Sequence, residues 1–595
     1  MAELIRVPVL IVGGGGCGLS ASIFLSNLGV ESLLVERHAQ PSPMPKARYL
    51  NQRTMEMFRQ HGVADAIYAR SMPGKHIGKM RWATSLGGDG AFDRKTLYEM
   101  DSFGGSGRDA DYLADSPCES TLYPQVRLEP LLREIAAARP PGRLWFNHEL
   151  MDLVQSTESV VATVLDRATN TSITIEADYV IAADAGKTVG PIVGAQLEGT
   201  PELVDMVTVY FGADLSRYID DDHVMTYWLA NPEGDTTSWG AGVLGKLGPK
   251  HFDRHSEEWM FHFSFRPGDP ARFDEASLVP RIRDLLKVPE LELQILGVGH
   301  WIVQGVLADW FRFGRVFLAG DAAHRHTPTT GLGLNAAIHD SHNLAWKIAL
   351  VQRAHATDAL LDSYESERRP VGKRNVEWAL FTFSNHALTG AAIGIVPGDP
   401  ERSRANFSAL LAAGDDGVAR RHRFNEVMKL HRTEFQAHDL EIGFRYDEGA
   451  LVPDGTPAPE RDPTGRKYLP TTRPGHRLPH AWVEREGVRI STLDLVRRDA
   501  FLLITGSRES AWYQAAGALA ATYATLLDIL AIGGDGCDVI DAEGTWRRLR
   551  GVGRLGAILV RPDNHVAWRS IEVSADAEGL LRRVIARVLC GQMSD

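Results

Sequence analysis

VPVLIVGGGGCGLSASIFLSNLGVESLLVER, residues 7–37, decides how this chain begins to fold. Val7–Val12 is a short apolar run that reads as a buried strand. Gly13-x-Gly15-x-x-Gly18 follows, then a helical stretch, then a second apolar run that ends on Glu36, 18 residues after Gly18. A glycine triplet alone carries little weight in a glycine-rich chain. Set between a strand and a helix, with an acid closing the next strand, it becomes a dinucleotide-binding fingerprint. Gly13, Gly15, Gly16 and Gly18 allow the tight turn, backbone approach to a pyrophosphate and close helix–strand packing. Glu36 is placed to accept from a ribose hydroxyl. An acid there favours an unphosphorylated ADP ribose, hence FAD or NAD rather than NADP.

A second stretch, GDAAHRHTPTTGLGLNAAIHDSHNLAWK at 320–347, repeats the strand-to-helix logic. An apolar strand leads into Asp321, and a turn with Pro328, Gly331 and Gly333 precedes a helix predicted to start near Leu334–Asn335. Unpaired backbone N–H groups at such a start sit at the positive end of the helix dipole. A carboxylate at the strand end suits a sugar-alcohol hydroxyl. Together these features form a clamp for a polyol-linked, electron-accepting ring.

The chain has 595 residues, too many for one compact core, so two to four domains are expected. A formal net charge of −12 excludes nucleic acid as the main partner, since phosphate binding needs a basic surface. No basic run marks a membrane surface, and no apolar run approaches the length of a transmembrane helix. Cys17, Cys118, Cys537 and Cys590 lie far apart without CxxC spacing, which fits neither a disulfide framework nor a zinc site and accords with a reducing cytoplasm. No signal peptide is evident, so a cytoplasmic location is expected.

Along the chain, residues 1–200 alternate strand and helix in a doubly wound pattern, resumed over 301–380. From 204 to 300 the texture changes to MVTVYFGAD, VMTYWLANP, WGAGVLG and MFHFSF, rich in aromatic and β-branched residues. That composition suits an antiparallel sheet inserted into the first domain. A helical region and linker span 381–460, and 461–595 forms a small α/β domain, with a helix predicted near 511–530. ESERRP at 365–370 reads as a charged helix end.

By these motifs the chain resembles the FAD-dependent aromatic hydroxylases of the para-hydroxybenzoate hydroxylase superfamily. GGGGCG with Glu36, YVIAADAGKT at 179–188 and LAGDAAH at 318–324 match in order. ARYLNQRTMEMFRQHGV (47–63), RPGHRLPHAWV (473–483) and LVRPDNHVAWR (559–569) are similar to the branch of phenol hydroxylase, 2,4-dichlorophenol 6-monooxygenase and polyketide hydroxylases. The resemblance implies an α/β fold with a doubly wound, Rossmann-like FAD-binding domain of glutathione-reductase type. It also implies an antiparallel substrate sheet and a C-terminal thioredoxin-like domain, here without CxxC. It assigns Gly13, Gly15, Gly18, Glu36 and Arg37 to the ADP half of FAD, and Arg48 to the region between pyrophosphate and isoalloxazine. Gln125 falls near the ribityl chain, supported by Arg127, and Asp321 on a ribityl hydroxyl. The amides of Gly333, Leu334 and Asn335 would face flavin N1 and O2.

The implied reaction uses NADPH or NADH to reduce FAD, and O2 to form a flavin C4a-hydroperoxide that hydroxylates a small phenol-like or heteroaromatic ring. Natural-product tailoring and aromatic catabolism both suit it. The family's middle motif has Asp-Gly, a Ser and an Arg. Here Asp184-Ala185-Gly186-Lys187-Thr188 displaces the glycine and lacks the Arg, which leaves the nicotinamide contact open. The alternatives are a flavin-dependent dehydrogenase or a flavin-binding protein without turnover. No residue declares itself as the catalytic base. His223, Tyr227, Trp228 and Trp301 are candidates for lining the pocket, each equally readable as sheet packing. His324 and His326 lack the partners of a metal site, and no metal is expected. A homo-oligomer is expected, with the terminal domain as its contact or interaction unit.

Overall fold

The computed structural model describes residues 4–105, 109–231, 242–523 and 525–590. Leu4–Val12 is the centre of the first sheet. It pairs in parallel with Thr171–Ala182 on one side and Ser32–Glu36 on the other. Val316–Leu318 and Arg143–Phe146 extend the sheet in parallel at either side, so the order is 316–318, 171–182, 4–12, 32–36, 143–146. Both faces of such a sheet must be covered, and the strand Leu4–Val12 is accordingly apolar almost throughout. The helices Gly16–Asn27 and Gly333–Gln352 cover it and pack on each other. Both are buried on most of their circumference, which explains why neither shows a clean polar stripe.

The second sheet has eight strands in the order 324–325, 293–308, 197–213, 258–265, 242–248, 224–229, 79–83, 96–101. It is antiparallel except where Val224–Leu229 meets Lys79–Ala83. It thus draws Lys79–Ala83 and Thr96–Asp101 from outside the expected span 201–300, and Leu293–Ala308 runs through residue 301. Trp239, Gly240 and Ala241 of the expected WGAGVLG strand lie outside the described residues. Its strands alternate between two faces, apart from a few register shifts. Val207, Val209, Phe211, Tyr227, Leu229, Phe261 and Phe263 form one face, packed with Ile282 and Leu285 of the amphipathic helix Leu278–Leu286. Thr208, Tyr210, Thr226, Trp228, Met260 and His262 hold the opposite parity. That face meets the N-terminal part of the chain: Met44 packs with Tyr210 and Met260.

A third sheet of seven strands, ordered 488–491, 482–485, 539–540, 527–533, 501–505, 557–560, 566–570, carries the helices Ala511–Tyr523 and Ala577–Val588. The helix expected near 511–530 ends at Tyr523, because LDILAIG is taken as the strand Leu527–Gly533. This thioredoxin-like unit is docked by buried charge. Arg477 and Arg53 both bind Glu56, and Arg53 donates to the Asp563 carbonyl at 2.6 Å. Arg561 and Lys347 both bind Glu367, and Arg561 also holds Asp563. ESERRP does lie in the first turns of a helix, but its charges are part of the domain contact. The helix Asp362–Ile393 continues through Pro370, and Glu367 and Arg368 are fully buried hubs, Arg368 on Asp340 at 2.7 Å. Among the described residues no helix is long and apolar enough to cross a membrane.

Candidate active site

The glycines of the first turn divide by what demands them. Gly13 has φ +111°, and a Cβ there would lie 2.3 Å from the Ala183 carbonyl oxygen. At Gly18 a Cβ would lie 2.0 Å from the Gly13 carbonyl oxygen. Both are required by the fold itself. Gly15 is different: its φ is −82°, open to any residue, and a Cβ would meet nothing closer than a Glu129 carboxylate oxygen at 3.3 Å. Gly333 likewise meets only His326 Nδ1, at 3.7 Å. The space beside these two glycines is kept clear of protein, which is what a ligand against the backbone requires. Gly16 joins the two turns, since its missing side chain makes room for Leu334.

Around this cradle the polar groups are held in place. Glu36 accepts from the Gly14 and His38 amides at 2.7 and 2.8 Å, and Arg37 donates to His38 at the half-exposed edge. Gln125 exchanges two hydrogen bonds with Ala47, tying residues 47–48 to the start of the helix Gln125–Ala137. Glu129, one turn on, accepts from the Gly16 amide at 3.1 Å and from Gln125. Burial pushes its carboxyl above the ordinary carboxylate range, against the hydrogen bonds it accepts. Tyr49 donates to Glu441 at 2.9 Å, and burial pushes that carboxyl up to about 8.

Asn335 is fully used within the protein: its amide bridges the Asn51 and Thr54 donors to the Tyr49 and Gly331 carbonyls. What remains for a ligand is backbone. The Ala336 amide bonds the Leu332 carbonyl, so the amides of Gly333–Asn335 precede that turn of the helix. Gly331 and Thr330, at φ +66° and +63°, shape the approach, next to the exposed Pro328. Asp321 is exposed, and no side-chain bond to it occurs among the described residues. Asp184 instead caps its own loop, accepting from the Gly186, Thr188 and Val189 amides. Ala185 sits at φ +58°, the conformation a glycine would take without strain.

Arg48 points away from the glycine turn. It donates to the Lys246 carbonyl at 3.0 Å and to Thr226, against Gly245, where a Cβ would collide with it. Among the described residues no carboxylate pairs with it there, and burial lowers it to about 10. A phosphate contact would require it to leave these acceptors. Arg127 is likewise engaged by Glu258 and the Leu247 carbonyl.

Of the four pocket candidates, Trp228 and Trp301 lie on the cofactor-facing side, Trp301 donating to Thr208, which pairs with His262. Tyr227 is one residue out of phase and packs against the helix Leu278–Leu286. His223 is exposed and bonded to the Lys75 carbonyl. Neither faces the cleft. His324 binds Asp340 at 2.7 Å, which ties the strand end to Arg368. A group absent from the sequence reading also emerges: His386, His431 and Glu434 are buried together beside Trp82 and Trp228. Only the His-x-x-Glu spacing of the last two was visible in sequence. A further cavity lies between Gln60 and Arg498, lined by mutually paired charges such as Arg59–Asp494.

A two-sheet cleft with a glycine-lined cradle and a helix start free to meet an anionic ring edge defines a flavin-binding oxidoreductase. Comparison with known proteins makes the assignment particular. An FAD binding domain family matches residues 6–379, and an aromatic-ring hydroxylase C-terminal family matches 471–591. The 2,4-dichlorophenol 6-monooxygenase of Delftia acidovorans is 33% identical over 99% of both chains. The flavin-dependent monooxygenase PieE, solved with FAD and substrate, is 37% identical with a TM-score of 0.91, over 99% of this chain and 100% of that one. Aklavinone-11 hydroxylase, solved with FAD and aklavinone, is 30% identical with a TM-score of 0.77, over 99% and 100%. The chain belongs to the FAD-dependent aromatic-ring hydroxylases, and it is an FAD-binding aromatic monooxygenase.

Proposed function

We propose that the protein uses NADPH or NADH and O2 to hydroxylate a phenol-like ring, either a simple phenol or part of a larger hydroxylated aromatic. The observation that carries the reading is the pair Gly15 and Gly333, which no packing requires and which border one cradle. The ADP moiety would rest on Gly13–Gly18 with Glu36 on its ribose, the ribityl chain near Gln125 and Asp321, and the ring edge on the amides of Gly333, Leu334 and Asn335. Bound FAD would supply electron transfer from the nicotinamide and activation of oxygen. The protein's part is to stabilise negative charge at the ring edge through a helix start and to keep water out. Arg48 and the Thr208–His262 pair line the facing sheet and would contact FAD or substrate there. Relatives named for a dichlorophenol and for aklavinone support a hydroxylated ring without choosing its size. Cytoplasmic homo-oligomers, assembled through the C-terminal unit, complete the proposal.

The test is NADPH and NADH oxidation by the flavin-loaded protein against a panel of phenols, hydroxypyridines and hydroxyquinones. Oxidation stimulated by one aromatic, with a product heavier by one oxygen atom, supports hydroxylation. Stimulated oxidation that removes two hydrogens without adding oxygen refutes it in favour of a dehydrogenase.

A further inference from the structure

The helix Gln52–Gln60 of the FAD-binding domain and the segment 493–499 of the C-terminal unit border a cavity of about 430 Å³, within the range of small-molecule sites. Gln60 ties the two walls together, donating to the Val496 and Pro562 carbonyls at 3.3 and 2.9 Å. Most charges on the wall are already spent within the protein. Arg59 makes two hydrogen bonds to Asp494, at 2.8 and 2.9 Å, and Arg497 lies 3.0 Å from Asp499. Glu56 is buried beneath Arg53 and Arg477.

Two groups on the wall are left over. Arg498 donates to the Asn27 carbonyl at 3.1 Å, and among the described residues no carboxylate pairs with it. Arg139, which donates to the His61 and Gly62 carbonyls, adds a second positive charge nearby. Asn564 is only 3% exposed, yet its side-chain oxygen has no hydrogen-bond partner among the described residues. Its turn is held by the backbone instead, the amide on the Arg561 carbonyl at 3.0 Å and the carbonyl on the Leu478 amide at 2.8 Å. A buried amide side chain without a partner is uncommon, and by turning over it can present either an acceptor or donors to a ligand.

We propose that this cavity binds a small hydroxylated oxyanion, a carboxylate or a phosphate ester, at the seam between the FAD-binding domain and the C-terminal unit. Arg498 would meet the oxyanion with charge-assisted hydrogen bonds, and Asn564 would bond a hydroxyl of the same molecule. The paired ions on the rest of the wall favour a polar ligand, since an apolar body would strip water from them and give no hydrogen bonds back. Because the walls belong to both units, an occupant strengthens the contact between them, and stability rises with its concentration.

The experiment uses the FAD-saturated full chain, so that the cofactor cradle is filled. The probes are glycerol 3-phosphate and L-malate, with potassium chloride at matched ionic strength as the reference. Calorimetric titration should show about one molecule of at least one probe bound per chain, with a Kd of about 1 mM or tighter. The thermal midpoint should rise with that probe beyond the chloride reference. Arg498→Gln and Asn564→Gly should each weaken binding at least about tenfold while FAD is retained; glycine is chosen because Asn564 has φ +62°. Binding of one probe alone identifies the oxyanion as phosphate ester or carboxylate, and binding of both assigns the site to either. A wild type that binds neither probe beyond the chloride reference overturns the proposal. So does binding that survives both substitutions unchanged, which places the anion elsewhere. Should Asn564→Gly fail to fold, Asn564→Asp sets a like charge against the anion and is read by the same criterion.

Discussion

Glu441 offers a stability test whose sign can be worked out in advance. Its carboxyl is fully buried, accepts from Tyr49 at 2.9 Å, and is held at about 8 by burial, against an ordinary 4.5. A raised folded value means that the folded state holds a proton the unfolded chain has released. The stabilisation is complete below the unfolded value and is lost as pH rises through the folded one. One pH unit inside that window is worth about 1.4 kcal/mol. From about pH 6.5 to 8 the loss from this group alone is roughly 1.5 kcal/mol, because titration of the folded state flattens the upper end. The buried histidines His262 and His342, lowered to about 4 and about 3, act in the opposite direction and below this window. The difference between wild type and Glu441→Gln cancels them. Denaturant midpoints of both proteins at the two pH values, followed by tryptophan fluorescence, give the quantity. Wild type should lose about 1.5 kcal/mol more than the variant. Parallel behaviour would show that Glu441 is already ionised in the fold, and the assignment of a buried neutral acid would be wrong.

Three further outcomes follow from the geometry. Gly15→Val should fold, since a β-carbon there meets only the Glu129 side chain, but it should be purified with little FAD; normal flavin absorbance in a folded variant would refute the cradle. Ala185→Gly removes a left-handed alanine worth about 1–2 kcal/mol of strain and returns up to about 1 kcal/mol in chain entropy, so the denaturant midpoint should rise slightly. Arg561→Met leaves Glu367 and Asp563 without their shared cation, a loss of about 3–5 kcal/mol. Limited proteolysis should then release the C-terminal unit; resistance equal to wild type would mean that these ion pairs do not hold it.

The parts legible in sequence are those whose chemistry is local. The turns at Gly13–Gly18 and Gly331–Asn335, each opening a helix, announce themselves because turn and helix start are neighbours in the chain. The parts that stayed hidden are assembled across it. His386 and Glu434 are 48 positions apart, and ESERRP looks solvated until Arg561, almost 200 residues away, is seen to cover Glu367. The pocket candidates show a subtler limit. Tyr227 and Trp228 are adjacent and both aromatic, yet a strand sends them to opposite faces, and composition does not reveal which parity faces the cofactor.

Gly245 shows how the cofactor and substrate sides are coupled. Its side-chain space is filled by Arg48, so the substrate sheet is indented to receive a residue from the cofactor side. A guanidinium lowered to about 10 by burial, bonded to carbonyls and a hydroxyl but to no carboxylate among the described residues, keeps its positive charge at neutral pH. A desolvated guanidinium on the cleft face is costly unless something negative arrives. An anionic cofactor or an ionised substrate oxygen would meet that need from the cleft side. Arg48→Met should therefore stabilise the flavin-free protein while weakening its hold on FAD or on a bound phenolate. Unfolding of the apoprotein and flavin release, measured side by side, decide it: a variant that is both less stable when empty and unchanged in binding would mean that Arg48 serves the sheet alone.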